Sequence, residues 1–194
     1  MEYKKLDEDT KIDIAQNLAG RTDEESFNAL KELIKDRSEL VRVNACDSMY
    51  SFINSDALKI LMDTLRKDRS SLVRMYAVLS IGDIILKAGL EESHKLYTTM
   101  LKEMVDKEKS LRVKIAYYEV LSSFGVDEYF TLLLKQVDST LYTNRICAIK
   151  ALARLATKNN KNIILEKLEN RREVEKVFAV IDTIENVYKK ITQI

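Results

Sequence analysis

The chain has 194 residues, 46% of them apolar, with 32 Lys and Arg against 31 Asp and Glu. Charge this balanced gives no support for a non-specific grip on a phosphate backbone, which needs a surplus of cations on one face, and no apolar run approaches the roughly 20 residues that cross a bilayer. Pro is absent and Gly occurs four times, so the residues that punctuate hairpins are scarce and a mostly helical chain is the economical expectation. The acidic start, Met1 to Asp9, lacks the apolar segment of a signal peptide. Cys46 and Cys147 read as ordinary thiols, and the expected location is cytoplasmic.

In chain order, residues 1–22 read as a capping helix, with Ile12, Ile14, Ala15 and Leu18 apolar and Gly20 at its end. A first helix pair spans 23–54. Acids Asp23, Glu24 and Glu25 suit the positive end of a helix dipole, Phe27, Leu30, Leu33 and Ile34 keep helical spacing, and Ser38 is placed to cap the second helix. The second pair, 55–90, carries the stripe Leu58, Leu61, Met62 and Leu65, then a helix ending near Gly89. The third, 91–125, has Leu96, Met100, Leu101, Met104 and Val105, then a helix ended by Gly125. The fourth, 126–158, has Tyr129, Leu132, Leu133 and Val137 before a helix over Leu141 to Thr157, and the fifth, 159–194, pairs Asn160 to Leu168 with Arg172 to about Ile191.

An internal repeat runs through these pairs. Asp36-Arg37-Ser38-Glu39-Leu40-Val41-Arg42-Val43-Asn44-Ala45 returns as Asp68-Arg69-Ser70-Ser71-Leu72-Val73-Arg74-Met75-Tyr76-Ala77 with seven of ten positions identical. A period of this length predicts stacked helical hairpins. Taking the alanine near the start of each second helix as a marker gives Ala45, Ala77, Ala116, Ala148 and Ala179, at spacings of 32, 39, 32 and 31. A small residue fits where two helices cross closely.

At these residues the chain resembles HEAT and related armadillo-type repeats, which place an Asp in the turn and a Val-Arg pair early in the second helix. Asp36 with Val41-Arg42 and Asp68 with Val73-Arg74 match; Asp138 and Arg145 keep part of the pattern, the third unit has Arg112-Val113 in reversed order, and the fifth has Lys176 at the arginine position. The resemblance implies an all-α fold, a right-handed α-α superhelix (solenoid) of about five HEAT-like helix pairs.

On a helical wheel the arginine three residues before the marker falls on the core side, so Arg42, Arg74 and Arg145 need acceptors, and the turn acids Asp36, Asp68 and Asp138 recur where they can offer them. That set is read as a structural ladder, with ligand contact as the alternative. The opposite sector, one before and three and six after the marker, is expected to line a partner-binding groove. With its margin it holds Asp47, Tyr76, Asp83, Tyr118, Glu119, Lys150, Arg154, Phe178, Asp182 and Glu185. Acids outnumber bases among them, which suits a protein partner with a basic surface; a merely solvated face is the competing reading.

No catalytic constellation appears, so no enzyme and no cofactor or metal is expected. His94 is the only histidine, whereas metal and acid-base sites gather several ligands, and no Gly-rich phosphate loop, Gly-x-Ser-x-Gly elbow or Cys-x-x-Cys is present. The expected role is a non-catalytic protein-binding module, a scaffold, adaptor or inhibitor, with neither nucleic acid nor membrane as partner. A narrower version is an immunity or inhibitor protein that masks a basic toxin. The opposing class is a helical-repeat binder of damaged nucleic acid, like the helical-repeat DNA glycosylases, or of a tetrapyrrole-like ligand, like the bilin lyases.

Overall fold

A computed structural model describes residues 3–89 and 91–194. Met1, Glu2 and Leu90, at the edges of the expected cap and second repeat, lie outside the described residues. Within them the chain is all helical. A 3-10 turn, Tyr3–Lys5, precedes α1 (Glu8–Asn17), α2 (Glu24–Leu33) and α3 (Glu39–Ser48), which continues as a second 3-10 turn, Met49–Ser51. Then come α4 (Ser55–Lys67), α5 (Ser71–Ala88), α6 (Glu91–Lys107), α7 (Leu111–Ser123), α8 (Asp127–Gln136), α9 (Tyr142–Leu155), α10 (Lys161–Val174) and α11 (Phe178–Thr192). They fall into two compact units, Met1–Val113 and Lys114–Ile194, with α7 beginning in the first and continuing in the second.

In the first unit the helix starts follow from side-chain caps. Asp7, Asp23, Ser38, Asn54 and Ser70 each accept a hydrogen bond from a backbone N–H of the turn that follows, satisfying donors the helix itself leaves orphaned. α5 stops where Gly89 takes a left-handed φ of 63°, a conformation that a Cβ disfavours. α2 packs on α3 and α4 on α5, while α1, α3 and α5 stack directly on one another. The small and branched residues Ala15, Val41, Ala45, Val73, Ala77 and Ile81 are fully buried in these contacts. Ser48 and Ser80 are also buried, and the Ser80 hydroxyl donates 2.7 Å to the Cys46 carbonyl of the neighbouring helix.

The second unit repeats the arrangement: α8 packs on α9, α10 on α11, and α9 on α11. Ala148, Ala151 and Leu152 from α9 and Val180, Ile184 and Ile191 from α11 are buried there, with Ile164 and Leu168 closing the core from α10.

Two expected registers are corrected. The fifth pair does not change helix before Arg172: α10 runs through Val174, because the Glu175 carboxylate accepts from the N–H groups of Lys176 and Val177 and so fixes the turn there. Ala179 is consequently exposed and the marker position belongs to Ile184. In the third unit Glu108 takes the N–H of Ser110 as Asp68 takes that of Ser70, which puts Tyr117, not Ala116, at the marker position. Counting from the turn residues Asp36, Asp68, Glu108, Ser139 and Glu175, the fifth residue is Val41, Val73, Val113, Asn144 or Val180 and the ninth Ala45, Ala77, Tyr117, Ala148 or Ile184, and all ten are buried. Ile53 stands exposed beyond the 3-10 end of α3.

Candidate functional site

Each turn arginine is bonded within the fold and reaches forward to the next turn. Arg42 donates through Nη1 to the carbonyls of Asp36 and Arg37 in its own turn, at 3.0 and 3.1 Å, and through Nε and Nη2 to both oxygens of Asp68 in the next, at 2.7 and 3.1 Å. Arg74 repeats this with the carbonyls of Asp68 and Arg69 and the carboxylate of Glu108. Arg145 does so with the carbonyls of Ser139 and Thr140 and, at 2.8 and 2.9 Å, with Glu175. Lys11 of α1 supplies the first rung, 2.8 Å from Asp36. A planar guanidinium can serve two turns at once because its donors diverge from one plane.

Asp36 and Asp68 each hold the preceding unit's cation, Lys11 and Arg42. One expectation about the ladder changes. Asp138 is not a rung: it stands one residue before the slot occupied by Ser139, is half exposed, and pairs with Lys167 and Arg171. Sequence reasoning missed Glu108, Glu175 and Lys11. The signal was an acid followed by a base, and in three turns a serine, as in Asp36-Arg37-Ser38, Asp68-Arg69-Ser70, Glu108-Lys109-Ser110 and Glu175-Lys176.

The electrostatics agree with the geometry. Burial pushes the carboxyls of Asp68 and Glu108 up, but the facing guanidinium and the backbone N–H two residues on outweigh it and leave both below their usual range. Glu175 is the extreme case. Burial again acts upward, yet the N–H of Val177, Arg145 and Arg171 together hold its carboxyl down at about 2. Arg42 is pushed further toward its charged form, chiefly by its hydrogen bonds with Asp68. Cys46 lies fully buried beside these groups, and burial drives its thiol up, so it stays protonated and inert.

The expected groove residues separate into several places. In the first unit Asp47 and Asp83 are exposed and Tyr76 is half-buried on the outward side of α3 and α5. In the second, Lys150, Arg154 and Asp182 are exposed on α9 and α11. Four expected members lie elsewhere. Glu119 is 8% exposed and receives two hydrogen bonds from Arg154, so neither charge is independent. Tyr118 is half-buried with its ring 5.8 Å from that of Tyr129 on α8, on the hairpin side. Glu185 is bonded by Arg172 of α10, 2.7 Å away. Phe178 is the first residue of α11, at the turn end of the helix. The residues three after the marker, Ser48, Ser80 and Ala151, are buried, because that position lies only about 60° from the core direction; Ser80 there meets α3 at the Cys46 carbonyl.

Residues 3–82 match the family model for HEAT repeats. Over that stretch the chain is HEAT-like. The matched stretch takes in α1 and the first two hairpins as far as Gly82; beyond it the HEAT-type turn acid and its rung return at Glu108 and Glu175. No curated protein matches the chain. Among the described residues no helix is long and apolar enough to cross a membrane.

Proposed function

We propose that this HEAT-like protein is a non-catalytic protein-binding module whose partner lies along the outward faces of its second helices. The observation that carries the reading is how those helices divide their residues. The rung arginines and the small residues Ser48, Ser80 and Ala151 are spent on stacking, which leaves Asp47, Tyr76 and Asp83 on one unit and Lys150, Arg154 and Asp182 on the other facing outward. HEAT repeats commonly mediate protein–protein interaction, which supports the same reading. The first unit carries two exposed acids, Asp47 on α3 and Asp83 on α5, and the half-buried Tyr76 on α5, residue types that draw a basic partner and hold it through an aromatic contact. An inhibitor that masks a basic protein is the narrower form of this proposal, favoured by the same acids.

The test is site-specific photo-crosslinking in the native cell, with a benzophenone side chain at Tyr76 and, as control, at Lys59 on the exposed side of α4. The expected result is a discrete protein adduct at Tyr76 alone, lost in the Asp47→Lys, Asp83→Lys double variant and weakened by added salt. Equal adducts at both positions, or an adduct at Tyr76 indifferent to the charge reversal, sink the reading.

A further inference from the structure

The first rung of the ladder is the one left unfilled. Lys11 stands fourth in α1, as Arg42, Arg74 and Arg145 stand fourth in α3, α5 and α9, and like them it reaches the acid of the next turn. Each of those guanidinium groups makes four hydrogen bonds. Among the described residues Lys11 makes one, 2.8 Å to Asp36 Oδ2. The carbonyls it would take by the spacing of Arg42 to Asp36 and Arg37 are those of Lys5 and Leu6, and it donates to neither. An ammonium has three donors, so two are left over on a residue that is 5% exposed, where a donor without an acceptor is costly.

Lys11 and Asp36 stand in the wall of a cleft of about 790 Å³, with Tyr3 and Lys4 from the first 3-10 turn, Glu32 and Lys35 from around the end of α2, and Arg37. Its acids are already engaged. Asp36 accepts from Lys11 and from the Ser38 N–H, and Glu32 from Lys35 at 3.2 Å. Lys4 and Arg37 are exposed, and neither side chain has a hydrogen bond or ion pair among the described residues. Four cations thus share the cleft with two acids, a local surplus of positive charge in a chain whose net charge is only +1.

We infer that this cleft binds a phosphate dianion, either free or as the monoester of a small molecule. Such a group carries about −1.5 to −2 charge near neutrality, which matches the surplus, and it has enough acceptor oxygens for both spare donors of Lys11 with others left for Lys4 and Arg37. A single carboxylate brings half the charge and fewer oxygens. The volume lies within the range of about 300–1,000 Å³ usual for small-ligand sites, which leaves room for an organic group beside the Tyr3 ring. The carboxyl end of α2 opposes an anion by about half a charge, less than the surplus, and the carbonyls of Leu30, Glu32 and Leu33 there already accept from Ile34, Lys35 and Asp36. An extended polyanion fits worse. Asp7, Glu8 and Asp9 follow the turn that supplies Lys4 and are all exposed, so they repel a nucleic-acid backbone or an anionic bilayer running past the cleft. The inference uses no residue of the outward helix faces, so it and the protein-binding reading fail separately.

The test is a titration of the whole purified chain followed by two-dimensional amide NMR in about 0.15 M sodium chloride, with inorganic phosphate, phenyl phosphate and phenol as probes. Both phosphates are expected to shift the amides of Lys35, Asp36 and Arg37 with a Kd of about 1 mM or tighter, and phenol to shift none of them. Which phosphate binds more tightly tells the source, free anion or ester. Affinity should weaken as pH falls from about 7 to about 5, where the dianion takes up a proton. The exposed pair Lys4→Glu, Arg37→Glu should weaken it about tenfold or more. Lys11→Arg is the sharper variant. An arginine at that position spends its donors on the Lys5 and Leu6 carbonyls and on Asp36, as the other rungs do, so the melting midpoint should hold or rise while affinity falls about tenfold. Asp47→Lys, Asp83→Lys should leave phosphate binding unchanged. No saturable shift up to about 10 mM phosphate, equal shifts with phenol, an affinity indifferent to both Lys11→Arg and the Lys4→Glu, Arg37→Glu pair, or tighter binding of a hexaglutamate peptide than of either phosphate overturns the inference.

Discussion

A single guanidinium in this chain does two jobs that a lysine cannot. Arg145 closes its own turn through Nη1 and clamps the next through Nε and Nη2, and it is almost wholly buried while doing so. Removing it strands a buried carboxylate, which costs about 3–5 kcal/mol; because Arg171 still bonds Glu175, Arg145→Ala should fall near about 3 kcal/mol in urea denaturation. Glu175 adds a pH signature. Its carboxyl stands at about 2 in the folded chain against an ordinary 4.5, so its stabilisation is complete above the unfolded value and is lost as pH falls toward about 2. The stability gap between the parent and Glu175→Gln should therefore be constant near neutrality and shrink steadily once pH drops below 4.5. A gap that stays level down to the acid limit would show that the carboxylate is not held as described. At this scale the sequence was informative but incomplete. Asp36, Asp68 and the arginines stood out because one segment is nearly copied, whereas Glu108 and Glu175 escaped notice because a longer side chain fills the same slot and their partners lie 34 and 30 residues away.

Among the helices, the starts were the legible part. Asp23, Ser38, Asn54 and Ser70 cap because a short polar side chain before an apolar stripe meets orphaned N–H groups of that same helix. The start of α11 was misread for the same reason: Val177 cannot cap, and the turn is set by Glu175 instead. A prediction follows from the backbone of the two uncapped helices, which is already extended at the cap position. Leu141→Ser and Val177→Ser should each raise stability by about 1 kcal/mol, read as an upward shift of the melting midpoint. A neutral or negative change in both would mean that the apolar residues contribute to packing after all. The packing direction of the helices was half legible. Periodicity marked the core side of α4, where Leu61, Met62 and Leu65 are buried, but the second contact, where Ser80 meets α3 through the Cys46 carbonyl, leaves no periodic mark, since small polar and small apolar residues serve equally there.

Each of the two units, Met1–Val113 and Lys114–Ile194, makes similar helix contacts within itself. In repeat architectures stability is approximately a sum of local and neighbour terms. Arg42 and Arg145 sit in different units and share no partner, so the free-energy costs of Arg42→Ala and Arg145→Ala should add to within about 0.5 kcal/mol in the double variant; a clear excess or deficit in equilibrium unfolding would show that the rungs communicate. By itself the sequence determined the all-helical class, the HEAT-like turn and the Ser38 cap, because each depends on residues within a turn or two of one another. Only the tertiary structure decided which acid each arginine meets, where the third and fifth registers fall, and whether Glu119 and Phe178 face a neighbour or water. Those outcomes rest on contacts between residues about one repeat apart, and a local pattern carries no information about which of several nearby carboxylates, or which side of a helix, the next hairpin will cover.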